Sequence, residues 1–193
     1  MADKRAAILS ASAKTIAQHG VRGMRVTEVA ASAGVSTALL YYHFTDRAGL
    51  LDAALQYMME QSREYRSRAD NPADTAWQRL LNHLSLEFQD DPVVTETTLA
   101  WNELRASAVY EPGLRASLAT AASDWRQEIK DAIRAAQEAG EVADTVDIDG
   151  AAATLVALME GFGSQWICGE LTVAEVQAHL SATATALLRP SAS

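Results

Sequence analysis

The chain has 193 residues, of which 49% are apolar, so it is long enough to bury a core in one or two domains. Its formal net charge is −9, and its single cysteine, Cys168, excludes an internal disulfide and favours the reducing cytoplasm. The two most apolar runs are neither a signal peptide nor a membrane span: Ser10, Ser12 and Lys14 interrupt the first, and Glu160 lies in the middle of the second.

Charge is distributed unevenly along the sequence. Residues 1–50 contain six basic and three acidic residues, a net charge of +3, which leaves −12 for residues 51–193. This asymmetry suits a protein that contacts a polyanion with its N-terminal end only. An acidic surface kept for solubility explains the −12 equally well.

The first predicted helix covers about residues 4–19, where apolar side chains recur at helical spacing. Gly20 is placed to end it. The linker that follows carries Arg22 and Arg25, which are either phosphate contacts or solvated loop charges.

Residues 27–44 predict two short helices joined by a tight turn. Thr27 suits the N-cap of the first helix, and Gly34 suits its end because a residue without a Cβ enters the left-handed region at little cost. Ser36 is then the expected N-cap of a second helix over residues 37–43.

This second helix has an apolar face and a face with groups that suit DNA. Leu40 and Phe44 are four residues apart and are expected to point inward. Hydroxyls, a methyl group and rings make up the opposite face: Thr37, Ala38, Tyr41, Tyr42 and His43. This is the pattern of a helix-turn-helix that offers its second helix to a major groove. The alternative is an αα-corner inside a helical protein.

The sequence from residue 5 to 51 contains AAILSASAKTIAQHG, VTEVAASAGVS and LLYYHFTDRAGLL. It resembles the DNA-binding domain of TetR-type transcriptional regulators. The resemblance implies that Thr37, Ala38 and Tyr41 reach base edges in the DNA. It also implies that Tyr42 and His43 reach phosphates and that Arg47 and Thr27 contact the DNA backbone. Ser36, the cap of the second helix, belongs to the same predicted DNA-binding set. Leu39 stands where a small polar residue is common, and Thr37 where a longer polar or basic one is, so the operator sequence cannot be taken from relatives.

A long fourth helix is expected from residue 46 or 47 to about 68, joining two domains. The Asp-Asn-Pro run at residues 70–72 is a boundary signal, because cap residues precede a proline at a helix start. We therefore predict a DNA-binding domain over residues 1–50 and an effector-binding and dimerisation domain over residues 51–193.

Five further helices are predicted after this boundary, which makes the chain all-α with about nine helices. Their approximate ranges are 73–88, 93–109, 112–140, 150–169 and 173 onward. The N-terminal domain then consists of three helices with a helix-turn-helix, and the C-terminal domain is a helical bundle.

The last two helices predict a dimer. The helix over residues 150–169 is apolar nearly all round and must be buried on more than one side, and Thr172 with Glu175 is a capping box for the final helix. Two such helices per chain are expected to pair as a four-helix bundle in a twofold homodimer. The residues expected at this dimer interface are Leu155, Val176, Leu180, Thr183 and Leu187. The twofold axis predicts a palindromic operator on double-stranded DNA.

The C-terminal half is similar to regulators of the BetI-like branch, which implies a small effector. An apolar pocket for an apolar or cationic effector is predicted from Trp101, Trp125, Met159, Glu160, Phe162 and Trp166. The alternative for the tryptophans is ordinary core. For Glu160 the alternative is an ion pair with Arg105 or Arg126.

No pattern in the sequence favours an enzyme. It lacks a glycine-rich phosphate loop, a Cys/His cluster at metal spacing and a Gly-x-Ser-x-Gly elbow, so no catalytic residue, metal ligand or cofactor is predicted. The sequence predicts a cytoplasmic, homodimeric, ligand-responsive DNA-binding regulator, most simply a repressor. The alternatives are a helical small-molecule-binding protein without operator-specific binding and a purely structural helical module.

Overall fold

The computed structural model describes residues 2–67, 71 and 73–189. Within these residues the regular secondary structure consists of helices, with no strand. The helices are α1 (Ala2–Gly23), α2 (Val26–Ser32), α3 (Thr37–His43), α4 (Arg47–Ser67), α5 (Ala76–Ser85), α6 (Pro92–Ala108), a 3₁₀ turn (Pro112–Leu114), α7 (Arg115–Glu138), α8 (Ile148–Ile167) and α9 (Val173–Leu188). The predicted all-α class with about nine helices is confirmed for the part of the chain that the structure describes.

Helix α1 is interrupted at Gly20, where the sequence predicted its end. Gly20 adopts φ 72° and ψ 168°, a conformation that essentially only glycine tolerates. Beyond this break, Val21 and Met24 turn inward and are buried. The linker to α2 is therefore packed against the core, not a free loop.

The chain forms two compact units. The first contains residues 1–62 and 95–121, and the second contains residues 63–94 and 122–193. The border between the units falls within α4, α6 and α7. The predicted division after residue 50 stays a prediction, and in the boundary run at 70–72 both Asp70 and Pro72 lie outside the described residues.

In the first unit, α1 packs on α2 and α3, so that these three helices share one core. The fully buried side chains of this core include Ile8, Ile16, Leu40, Leu50 and Leu51. Burial of a leucine or isoleucine side chain stabilises the fold by about 1.5–3 kcal/mol. The apolar stripe of α1 thus closes over the helix-turn-helix, as the sequence predicted.

In the second unit, α9 packs on α8 and α5. Each of α5 and α9 begins with a capping box, formed by Thr75 with Gln78 and by Thr172 with Glu175. The second box was predicted, whereas the first explains why α5 begins three residues later than expected.

A buried ion network also lies in the second unit. The side chain of Arg66 is only 4% exposed and pairs with Glu87 and with Glu128, the latter at 2.6 Å. Burial alone would lower the pKa of Arg66, but the two carboxylates outweigh it and raise that pKa above its ordinary value. Tyr65 donates a further hydrogen bond of 3.0 Å to Glu87.

Candidate nucleic-acid interface and effector region

The turn between α2 and α3 is fixed by local contacts. Gly34 has φ +63°, and the Val35 N–H donates to the Ala30 carbonyl at 3.0 Å. The Ser36 hydroxyl then caps α3 by accepting from the Leu39 N–H at 3.1 Å. The turn glycine and the Ser36 cap were both predicted, and both are confirmed.

Helix α3 buries one face and exposes the other. Leu40 and Phe44 are buried in the first unit and fix the rotation of the helix. Tyr41 is 47% exposed and Tyr42 is 73% exposed. A monomeric fold gains nothing from leaving two tyrosine rings in water, so this face is suited to a partner.

The neighbours of these rings complete the outward face. Ala38 is exposed, whereas Thr37 and Leu39 are half-buried. A threonine hydroxyl, an alanine methyl and tyrosine hydroxyls are groups that can contact base edges and the thymine methyl in a major groove. His43 is half-buried and its ring lies 5.5 Å from Tyr42 and 6.2 Å from Phe44, centroid to centroid.

The predicted capping role of Thr27 is wrong. Helix α2 begins at Val26, two residues earlier than a Thr27 cap requires, and Arg25 occupies the N-cap position without a side-chain cap. Arg25 instead forms an exposed ion pair with Glu28 at 3.5 Å. Thr27 is exposed in the first turn of α2, so its predicted phosphate contact stays a prediction.

Arg47, at the start of α4, is engaged within the protein. One terminal nitrogen of its guanidinium donates to the Val21 carbonyl, and the other lies 3.6 Å from the carboxylate of Glu111. Its side chain is 38% exposed, so the cation still reaches solvent.

Glu103 of α6 has a structural role in the first unit. Its Oε1 accepts from the Val21 N–H at 3.1 Å and from the Ser107 hydroxyl at 3.2 Å. The N–H and C=O of the peptide groups at Val21 are thus held by Glu103 and by Arg47. Neither contact has a local sequence signal, because the partners are 82 and 26 residues apart.

Two of the six residues predicted to bind an effector are buried in the core, and the other four are half-buried. Trp125 and Met159 are buried, Phe162 stacks on His179 at 5.8 Å, and Trp166 meets Phe88 edge-on at 5.8 Å. Glu160 is half-buried on α8. Trp101 belongs to the other compact unit, where Arg105 lies 5.9 Å above its ring, and its place in a pocket stays a prediction.

A cleft of about 350 Å³ lies in the second unit, lined by the last described turn of α4 together with α5 and α7. Its charged and titratable walls are Arg63, Arg66, Arg79, His83 and Glu128. None of the six predicted effector residues lines it.

The predicted dimer interface needs correction at three of its five positions. Leu155, Val176 and Leu180 are 0%, 0% and 1% exposed within one chain, so they have no surface to offer a second copy. Their apolar spacing reflects packing inside the protomer. Thr183 and Leu187 are half-buried and stay predicted contacts.

The described residues contain no group of three or more His, Cys, Asp or Glu side chains arranged to hold a metal ion. In that same part of the chain, no helix has the length and apolarity required to cross a bilayer.

The fold and the α3 surface define an all-helical protein with an N-terminal helix-turn-helix. Residues 8–54 match the family described as bacterial regulatory proteins of the tetR family, and residues 76–189 match the C-terminal domain of BetI-type transcriptional repressors. The chain therefore belongs to the TetR family of transcriptional regulators, and its C-terminal part is of the BetI type.

Similar proteins agree with this assignment. The regulator BetI of Escherichia coli (strain K12 / DH10B) is 28% identical over 147 residues, covering 71% of this chain and 74% of BetI. A TetR-family structure from Rhodococcus sp. is 48% identical with a TM-score of 0.93, covering 97% of this chain and 100% of that one. A regulator from Saccharomonospora viridis in complex with choline is 25% identical with a TM-score of 0.81, covering 94% and 95%.

Proposed function

We propose that this regulator is a repressor that binds a palindromic operator as a homodimer and is released by a small-molecule effector. In this proposal residues 1–50 carry the DNA contacts, and residues 51–193 carry effector binding and dimerisation. The repressor role follows the BetI-type description that residues 76–189 match.

The observation that carries the DNA-binding proposal is the exposed face of α3. Tyr41 and Tyr42 are held outward because Leu40 and Phe44 anchor the opposite face and the Ser36 cap fixes the start of the helix. A rigid helix with outward polar groups pre-organises base contacts.

A dimer is supported by an exposed face of small residues on α8 and α9, the small-residue face. Its exposed members are Ala153, Ala157, Gly161 and Ser164 on α8, and Ala178, Ala182 and Ala186 on α9. They recur every three or four residues, so each set lies on one side of its helix. Small side chains allow two helix pairs to approach closely around a twofold axis. This face replaces, as the proposed dimer contact, the three buried residues Leu155, Val176 and Leu180 that the sequence predicted at the dimer interface.

An apolar or cationic effector is supported by two observations. The Saccharomonospora viridis relative binds choline, a cation, and Glu160 of this chain is a half-buried carboxylate on the otherwise uncharged middle of α8. To release DNA, the effector must bind the non-binding conformation more tightly. A preference of about 3 kcal/mol would weaken DNA binding by a factor on the order of 100.

The experiment that tests the function is selection of random duplex DNA on the purified protein, followed by titration at several salt concentrations. We expect a twofold-symmetric motif whose affinity falls steeply with salt. Tyr41→Ala should cost about 1–3 kcal/mol on this motif and relax its sequence preference. Arg47→Ala should weaken binding to all sequences alike and lower the salt slope by about one.

Two control variants separate the contribution of the Tyr41 hydroxyl from that of its ring, and the loss of Arg47 from the loss of any exposed cation. Tyr41→Phe removes only the hydroxyl and retains the ring. Arg134→Ala removes an exposed cation of α7 from the second unit and should leave the affinity unchanged. Folded protein that enriches no motif would refute operator binding and favour a helical small-molecule-binding protein, the alternative that the half-buried Leu39 on α3 raises.

A further inference from the structure

The turn after α6 holds a cation that the proposed function assigns to DNA. Glu111 follows α6 and places its carboxylate 3.6 Å from the guanidinium of Arg47. The second terminal nitrogen of Arg47 donates to the Val21 carbonyl, so one end of the guanidinium fork is hydrogen-bonded and the other faces a carboxylate at ion-pair distance within the first unit. A phosphate that binds this fork in two-point geometry needs the same N–H groups.

We propose that Glu111 is a positioning residue that competes with DNA phosphates for Arg47 and so limits the affinity for DNA. This inference rests on the proposed function, because it assumes that Arg47 contacts the DNA backbone. When DNA binds, Arg47 must exchange its carboxylate partner for a phosphate. Glu111 then loses its cation and stands near a second anion.

The same turn contacts a second cation, Arg22, which lies in the linker before α2. The guanidinium of Arg22 lies 5.2 Å above the ring of Tyr110, the residue before Glu111. Tyr110 and Glu111 are held in place because both of their N–H groups donate to the Ser107 carbonyl, at 3.0 and 2.9 Å. The competing carboxylate is therefore part of an ordered turn.

The size of the effect follows from the exposure of the pair. Both side chains are about one-third exposed, at 38% and 32%, so solvent screens their attraction. Breaking a pair of this kind and relieving its repulsion from DNA should alter the affinity by about two- to tenfold at 0.1 M salt. Removal of the carboxylate should tighten binding, whereas a carboxylate that merely orients Arg47 toward DNA would weaken binding when lost.

The chain offers a matched control on α6. Glu103 also carries one negative charge, but it accepts from the Val21 N–H and not from Arg47. Glu103→Gln removes the same charge and retains an oxygen that can accept this bond. It reports the effect of net charge alone.

The experiment measures the affinity of Glu111→Gln, Glu103→Gln, Arg47→Ala and the double variant Glu111→Gln/Arg47→Ala. Each full-length variant is titrated against the selected operator and against a random-sequence duplex of equal length, because a phosphate contact acts on both. Melting temperatures within about 2 °C of wild type, below the shift that 1 kcal/mol produces, establish that the variants are folded.

We expect Glu111→Gln to bind both duplexes about two- to tenfold more tightly than wild type, and Glu103→Gln to change less than about twofold. In the Arg47→Ala background the Glu111→Gln substitution should change the affinity by less than about twofold, as Glu103→Gln does, because only the general effect of one negative charge remains without Arg47. An unchanged or weakened Glu111→Gln, an equal gain in Glu103→Gln, or a gain that persists without Arg47 would overturn the inference. Wild-type protein with no salt-dependent affinity for either duplex would instead refute the proposed function, and the inference with it.

Discussion

Replacement of Gly20 by alanine should destabilise the first unit by a measurable amount. Gly20 adopts φ 72° and ψ 168°, and a Cβ built on it would lie 2.7 Å from Oε1 of Glu103. The substitution therefore imposes both backbone strain and a steric conflict with the carboxylate that accepts from the Val21 N–H.

The magnitude follows from three contributions. The backbone conformation costs a residue with a side chain about 1–3 kcal/mol. Displacement of Glu103 loses part of a hydrogen bond to a charged acceptor, a bond that contributes about 1.5–3 kcal/mol when intact. Alanine lowers the conformational entropy of the unfolded chain, which stabilises the folded state by about 0.4–1 kcal/mol. We expect the free energy of unfolding to fall by about 2–4 kcal/mol.

Urea unfolding followed by circular dichroism measures this change, with Gly113→Ala as the control. Gly113 lies in the same unit, in the 3₁₀ turn, and no atom lies within 4 Å of a Cβ built on it. Its substitution should be neutral or stabilise by up to about 1 kcal/mol. If Gly20→Ala matches Gly113→Ala within about 0.5 kcal/mol, a typical surface change, the reasoning from φ and from the Glu103 contact is refuted.

Two further predictions concern the second unit. Gly161→Gln should fold normally, because a Cβ built at Gly161 meets open space, but the variant should sediment as a monomer. The control Ala119→Gln, at an exposed position of α7, should stay dimeric. A dimeric Gly161→Gln would place the dimer interface elsewhere. Arg66→Ala should lower the free energy of unfolding by about 3–5 kcal/mol in urea, because it removes the buried cation that two carboxylates share. Arg63→Ala breaks the more exposed ion pair with Glu128 at 2.7 Å and should lower the free energy of unfolding by at most about 1 kcal/mol. Equal losses of stability in the two variants would contradict the role given to burial.

The helix-turn-helix was predictable because its signals are local. Gly34, the Ser36 cap and the four-residue spacing of Leu40 and Phe44 each act within a few residues, and together they fix the turn and the rotation of α3. No distant contact is needed to choose among alternatives. The same local logic predicted the capping box of α9.

The start of α2 was mispredicted because distant packing decides it. Thr27 has the side chain of a good N-cap, but Val21 and Met24 are drawn into the core just before it. This burial fixes the path of the linker, and the helix begins at Val26 with no side-chain cap. An apolar core contact outweighs a cap that contributes about 1 kcal/mol.

The dimer seam illustrates a different limit. The periodicity of α8 and α9 indicated correctly that Leu155, Val176 and Leu180 are buried. Periodicity does not identify what covers a face, and here α9 packs on α8 and α5 of its own chain. The face proposed for a partner carries alanine and glycine, which give no apolar signal of their own.

Val21 connects these observations. Its side chain is fully buried, its N–H is held by Glu103, and its carbonyl accepts from Arg47, which also pairs with Glu111. Residues 95–121 accordingly belong to the same compact unit as the helix-turn-helix. Under the proposed function, the base contacts lie within residues 1–50, but the turn after α6 holds Arg47, the cation proposed to contact phosphate. The proposed competition for Arg47 therefore comes from one carboxylate, Glu111, which lies more than 50 positions away from the interface that the sequence predicted.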